Sequence, residues 1–313
     1  ESKDAPTINR IQSLQDRLEE WFVTGDKCIR LFNLPQIEIE QIHRFLQTQP
    51  ISDTSEGRRF PVILSQEEAD TEGTHDPKLV AVQRYEHGSA YIFSTIRRTE
   101  IRSKLDLAKV SKDVRDEIFK EFTEVYGLKI ENYQAIDCVW IPATLDYIEI
   151  RIDAPLGISQ DDVTRSQQQI LSTIKTISGI DIDYGAVDLF PLVDRIYRTP
   201  NEGIVVELAF LTLTQSLKQE KMRGKRICLR DEAYHRGGSA AVDGNIHPFR
   251  IGVEWQAPIR VARQTFPELL VHGTSRNIYH PALGVYQVYI RKTAGLHDFD
   301  YIRDKIKTHL GVE

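Results

Sequence analysis

Between Gly203 and Pro258 the hydrophobic and polar positions fall into the order strand, charged connector, strand, polar loop, strand. Ile204 to Leu213 is largely apolar on both alternating sets of positions, with Glu207 the charged exception, the pattern of a central strand covered on both sides. Arg226–Arg230 and Phe249–Trp255 read as shorter partners with one polar face. The loop from Asp231 to Pro248 is then expected to project from the end of a rigid sheet, where binding residues are often carried.

Elsewhere the pattern alternates between helical and extended periods. Ile8, Ile11, Leu14, Leu18, Trp21 and Phe22 recur at three- and four-residue steps, and Ile39, Ile42, Phe45 and Leu46 follow Pro35. These are two amphipathic helices, which must pack on each other, on the main body or on a partner. Residues 51–77 form an acidic connector around one short strand, FPVILS, with seven acidic residues between 51 and 76. A hairpin over Leu79–Glu86 and Ala90–Ile96 follows, then helices over 99–108 and 111–126, the latter with Ile118, Phe119, Phe122 and Val125 as its core face. Gln134–Ile141 and Leu145–Ile152 read as strands. Ser159 caps a helix stopped by Gly179, and 180–200 holds a strand fragment and a short helix. Pro267–His272 and Gly284–Arg291 read as further strands before a closing helix over Asp298–Leu310.

Strands in runs with short connections predict an α+β fold with largely antiparallel sheet and helices packed on one face. Tyr147-Ile-Glu-Ile-Arg151 and Gln287-Val-Tyr-Ile-Arg291 each lead into a helix carrying an Asp and an Arg, Asp162 and Arg165 in one and Asp300 and Arg303 in the other. That similarity suggests two sheet-plus-helix halves, over 78–185 and 186–313, behind a helical N-terminal region, 1–50, and the connector, 51–77.

The chain has 313 residues, 41% hydrophobic and 27% charged, the composition of a globular protein. Its three cysteines, Cys28, Cys138 and Cys228, lack metal-binding or redox spacing and read as reduced thiols of a cytoplasmic protein. No apolar run approaches the length of a membrane span, and no cofactor or metal is expected. A net charge of −6 excludes an overall basic binder but leaves room for local patches.

Three constellations could carry chemistry. Asp231, Glu232, His235, Asp243, Asn245, His247 and Glu254 combine carboxylates and imidazoles that could activate water on a divalent metal, although no established metal spacing is present. Arg236, Gly237, Gly238 and Ser239 could wrap backbone N–H groups around an anion. Between Leu217 and Arg263 ten basic residues face five acidic ones. Lys218, Lys221, Arg223, Lys225 and Arg226 lead that run, and Arg97, Arg98, Arg102 and Lys104 form a second basic group. Together they are candidates for phosphate-backbone contact.

The leading expectation is a non-enzymatic binding or adaptor subunit of an intracellular assembly, with a protein partner and local contact to nucleic acid. Its alternative is a metal-dependent hydrolase or nuclease using the 231–254 loop, with Asp231, His235, His247 and Glu254 as the catalytic candidates.

Overall fold

The computed structural model describes residues 5–106, 111–118, 120–122, 124–155, 158–224, 226–258, 264–280 and 282–311. Helices α1 (Ala5–Thr24), α2 (Gln36–Thr48), α3 (Ser55–Arg59), α4 (Gln66–Glu72), α5 (Lys112–Ile118), α6 (Gln160–Ser178), α7 (Pro191–Arg198), α8 (Ala233–Ala240), α9 (Ser275–Tyr279) and α10 (Leu296–Leu310) accompany ten strands. The strands are β1 (Lys27–Phe32), β2 (Lys78–Tyr85), β3 (Gly88–Lys104), β4 (Tyr126–Pro142), β5 (Ile148–Asp153), β6 (Ile204–Thr212), β7 (Leu217–Lys221), β8 (Ile246–Glu254), β9 (Glu268–His272) and β10 (Val288–Arg291). All ten join one open antiparallel sheet in the order β2-β3-β4-β5-β1-β10-β9-β8-β6-β7. The expected α+β class with antiparallel sheet is therefore the observed one.

Local signals explain the well-marked helices. Ser159 accepts from the Asp162 amide at 3.1 Å, and Gly179, at φ 73°, ends α6 in the left-handed region that glycine adopts without strain. Gly311, at φ 72°, ends α10 in the same way.

The helices occupy both faces of the sheet, a correction to the one-face expectation. On one face, Ile39, Ile42 and Leu46 of α2 and Val163, Ile170 and Ile174 of α6 pack with Cys28, Phe32, Val139, Ile148 and Ile150. On the other, Phe22 and Val23 of α1, Leu192 and Ile196 of α7, and Phe299, Ile302 and Ile306 of α10 pack with Ile29, Leu31, Ile136 and Cys138. Neighbouring strand residues point to opposite faces, so each strand feeds both cores.

Several segments depart from their predicted form. The N-terminal fifty residues contain β1, which pairs with both β5 and β10 and ties that region into the middle of the sheet. All six of its positions are buried, so it shows no alternation, and Lys27 and Arg30 disguise it further. Lys27 is 1% exposed and donates to the Ile136 carbonyl and to Asp153, both at 2.9 Å. The predicted helix over 99–108 is strand through Lys104, because Thr99–Lys104 pairs residue by residue with Tyr126–Glu131. The next helix contracts to α5, leaving Phe122 exposed, while Phe119 lies outside the described residues. Arg226–Arg230 is not a strand. The partners of β6 are β8 and β7, the latter returned by a tight turn in which Gln215 N–H donates to the Thr212 carbonyl at 2.8 Å.

FPVILS is likewise not a strand. Leu64 and Ala69 of the acidic connector pack on Ile96, and Glu56 is fully buried. Its carboxylate takes donors from His75 at 2.7 Å, Lys78 at 3.0 Å and Ser94 at 3.1 Å. Burial pushes the Glu56 pKa up, but these hydrogen bonds and cations outweigh it and hold the group below the usual carboxylate range.

At the sheet centre Arg151, fully buried, donates to Glu149 at 3.0 Å and to the Val23 carbonyl at 3.0 Å. Its guanidinium lies 4.7 Å from the Trp140 ring centre and 4.1 Å from that of Phe299. Arg303 of α10 approaches Glu149 at 3.8 Å.

Breaking this group should be far costlier than replacing it whole. Glu149→Leu, which strands a buried guanidinium, is expected to lower unfolding free energy by about 3–5 kcal/mol in chemical denaturation, and Glu149→Leu with Arg151→Met by less. A single variant no less stable than the double would refute the pairing argument. Because the folded pKa of Glu56 is depressed, its contribution is fully present above the unfolded value of about 4.3 and is lost as pH falls through the folded value. Glu56→Gln should therefore flatten the acid limb of a stability-against-pH curve below about pH 4.3. An unchanged limb would contradict that role.

Candidate functional site

The polar loop predicted over 231–248 is helix over Ala233–Ala240, followed by a turn into β8. Glu232 caps α8 by accepting from the His235 amide at 2.8 Å, and Gly237 and Gly238 stand inside that helix with negative φ. Their amides serve the helix, so Arg236, Gly237, Gly238 and Ser239 form no anion-cradling loop, a second correction. The helical register explains this, since a Gly-Gly pair cradles an anion only where the chain is free to turn.

His235 is 3% exposed and held at both ring nitrogens. Nδ1 lies 2.5 Å from Glu220 of β7, and Nε2 lies 2.9 Å from the Tyr197 hydroxyl of α7. Burial raises the Tyr197 pKa, which keeps its phenol a proton donor. Carboxylate, imidazole and hydroxyl in series are the parts of an acid–base relay. Here they brace α7, β7 and α8 beside a cavity of about 110 Å³ walled by Phe210, Val242 and Ile246.

The other hydrolase candidates are not gathered around His235. Asp231 is exposed in a short 3-10 turn, His247 is exposed on β8, and Glu254 lies at the far end of that strand, paired with Lys292 at 2.5 Å. Glu254 lies seven residue steps along the strand from His247, about 23 Å at the usual rise. Among the described residues no group of three or more His, Cys, Asp or Glu side chains could hold a metal ion. Nor is any helix of the described residues long and apolar enough to cross a membrane.

The two basic groups lie far apart. Lys218 and Lys221 are on β7, the edge strand, where Lys221 pairs with Glu207 at 2.9 Å. Lysine on an edge strand also blocks pairing with foreign strands. Arg223 is exposed, Arg226 lies over the Phe266 ring at 4.6 Å, and Lys225, Arg260 and Arg263 are outside the described residues. The second group sits on β3, which with β4 runs beyond the pairing of β2 and β5 as a two-stranded arm. From β4 to β7 is seven strand spacings, about 34 Å.

On the arm, Arg97 is removed from the candidates. It is buried against Asp137 and donates to the Asp153 carbonyl. Arg98, Arg102 and Lys104 share one side of the arm with their cross-strand neighbours Asn132, Leu128 and Tyr126. Arg102 lies over the Tyr126 ring at 4.6 Å, and Lys104 pairs with Glu124 at 2.5 Å. Leu128 is 69% exposed and Ile130 54%.

A further surface belongs to α1. Only its last turns are held to the body, through Phe22 and Val23 in the core and Glu20, which accepts from the Leu296 amide at 2.7 Å. Ile8, Ile11, Leu14, Leu18 and Trp21 face solvent, Leu14 at 65% exposure. Sequence reading identified this stripe but left its destination open between body and partner. The relay was invisible to it, because Tyr197 and Glu220 lie 38 and 15 residues from His235 with no motif linking them.

No protein-family model matches this chain, and a comparison with curated proteins finds no match either. What the structure defines is a class of architecture, an α+β protein built on one open antiparallel sheet, with a helix that exposes an apolar stripe and a projecting two-stranded arm.

Proposed function

We propose that this chain is a non-enzymatic binding subunit of a cytoplasmic assembly, docking a protein partner along α1 and contacting nucleic acid through the β3–β4 arm. The observation that carries the reading is the solvent-facing stripe Ile8, Ile11, Leu14, Leu18 and Trp21. Its three- and four-residue spacing suits a partner helix laid alongside. Arg10 and Arg17 border Leu14 one helical turn to either side, so a partner edged with Asp or Glu fits best.

For the arm, exposed cations beside an aromatic ring and apolar side chains match the mixed chemistry of nucleic-acid backbone and base faces. The strand order lends support to the two-halves reading. β2-β3-β4-β5 leads to α6 on one face, and β6-β8-β9-β10 leads to α10 on the other. β5 and β10 both run antiparallel to β1, so half a turn about β1 would exchange the two units. We read them as a duplicated unit, with β7 as an addition to the second.

Native mass spectrometry of the chain from its own host should show a complex containing a second protein. Ile11→Asp with Leu14→Asp should return it to a single chain at unchanged thermal stability, since both positions are exposed. A single chain before mutation, or a complex unaffected by it, would defeat the docking reading. Separately, Arg98→Ala with Arg102→Ala should weaken nucleic-acid binding and lower the slope of log K against log salt by about two. An unchanged slope would remove the arm from the interface.

A further inference from the structure

The cleft between the end of α7 and the segment from Arg226 to Asp231 has a volume of about 520 Å³. Arg198, Arg226 and Arg230 line it, against a single lining carboxylate among the described residues, Asp231. Arg198 is neutralised by Asp194 at 2.7 Å. The other two have no carboxylate in ion-pair range among the described residues.

Arg230 is fixed by neutral acceptors. It donates to the carbonyls of Thr199, Glu202 and Gly203, each at 2.7 Å, and through Nε to the Cys228 sulfur at 3.3 Å. Carbonyl dipoles hold the guanidinium in place without cancelling its charge. Arg226 is backed by the Phe266 ring at 4.6 Å, and among the described residues no acceptor claims its planar fork of donors.

The backbone of the cleft is unusual as well. Arg226 has φ 61°, a conformation that costs a large side chain free energy and that recurs where a ligand is clamped. Asn201 and Gly203, at φ 60° and 59°, line the same cleft.

We propose that this cleft is a phosphate-monoester site. Arg226 would supply a bidentate contact to the phosphate and Arg230 a preorganised charge behind it. The volume suits a nucleotide, which could be free in solution or be the phosphorylated 5′ end of a polynucleotide. The site is separate from the arm, beside the start of β6 near the opposite edge of the sheet, and does not depend on the arm binding nucleic acid.

Isothermal titration in phosphate-free, low-salt buffer tests the assignment with inorganic phosphate, AMP, adenosine, and one oligonucleotide carrying either a 5′-phosphate or a 5′-hydroxyl. AMP is expected to bind, adenosine is not, and Arg226→Ala should weaken AMP at least about tenfold. Arg98→Ala should leave AMP binding unchanged. A 5′-phosphorylated oligonucleotide binding more tightly than both AMP and its 5′-hydroxyl form identifies a strand end as the source, and AMP binding at least as tightly identifies a free nucleotide. Arg226 is exposed, so its variant should fold. The proposal is overturned if none of the phosphate-bearing probes binds at millimolar concentration, if adenosine binds as well as AMP, or if Arg226→Ala changes nothing.

Discussion

The Arg151 guanidinium is the constraint on which one face of this sheet is assembled. It sits on β5, beside the central strand, fully buried, with Glu149 two residues away on the same face. An unpaired charge there would cost several kcal/mol, so every group that contacts it is held to its position. Those groups come from distant parts of the chain. The Val23 carbonyl ends α1, Trp140 lies on β4 and Phe299 belongs to α10, whose Arg303 approaches Glu149. One side chain thus docks the first and last helices onto the same patch of sheet.

Lys27, Asp153, Asp137 and Arg97 extend the same logic along the sheet. Lys27 on β1 reaches Asp153 on β5, and Asp137 on β4 accepts both from Arg97 and from the Asp153 amide at 2.9 Å. Charges that are isolated in sequence become a chain of pairs crossing β3, β4, β5 and β1. Such a chain fixes register, because a one-residue slip would turn each member to the opposite face and strand its partner.

Legibility in the sequence followed how each element is stabilised. α6 and α10 carry their own stops at Gly179 and Gly311, and the position of β6 is marked by apolar residues on both faces, so local reading located them. β1 was missed because its burial is complete and its polar residues are paired through space. The arm was misread as helix because Thr99–Lys104 looks equally like a capped first turn, and only pairing with Tyr126–Glu131 decides between the two. Candidate sites fared similarly. His235 stood out by residue type, yet its partners Tyr197 and Glu220 and the cleft around Arg226 arise only when separate elements meet.

The exposed stripe of α1 differs in kind from the other surface hydrophobes. Scattered apolar residues are normal on any protein, and one exposed leucine carries no message. Here they recur in helical register along a segment that the body grips only at its C-terminal end. A helix of this length is marginal alone in water, and packing of an apolar face usually supplies the stability it lacks. Phe22 and Val23 anchor α1, but the residues before Trp21 add nothing to this chain's core. Among the described residues nothing buries them, nor Leu128 and Ile130 on the arm. The two surfaces differ in what lies beside them, arginine flanking a helical seam in one case and cations facing an aromatic ring in the other.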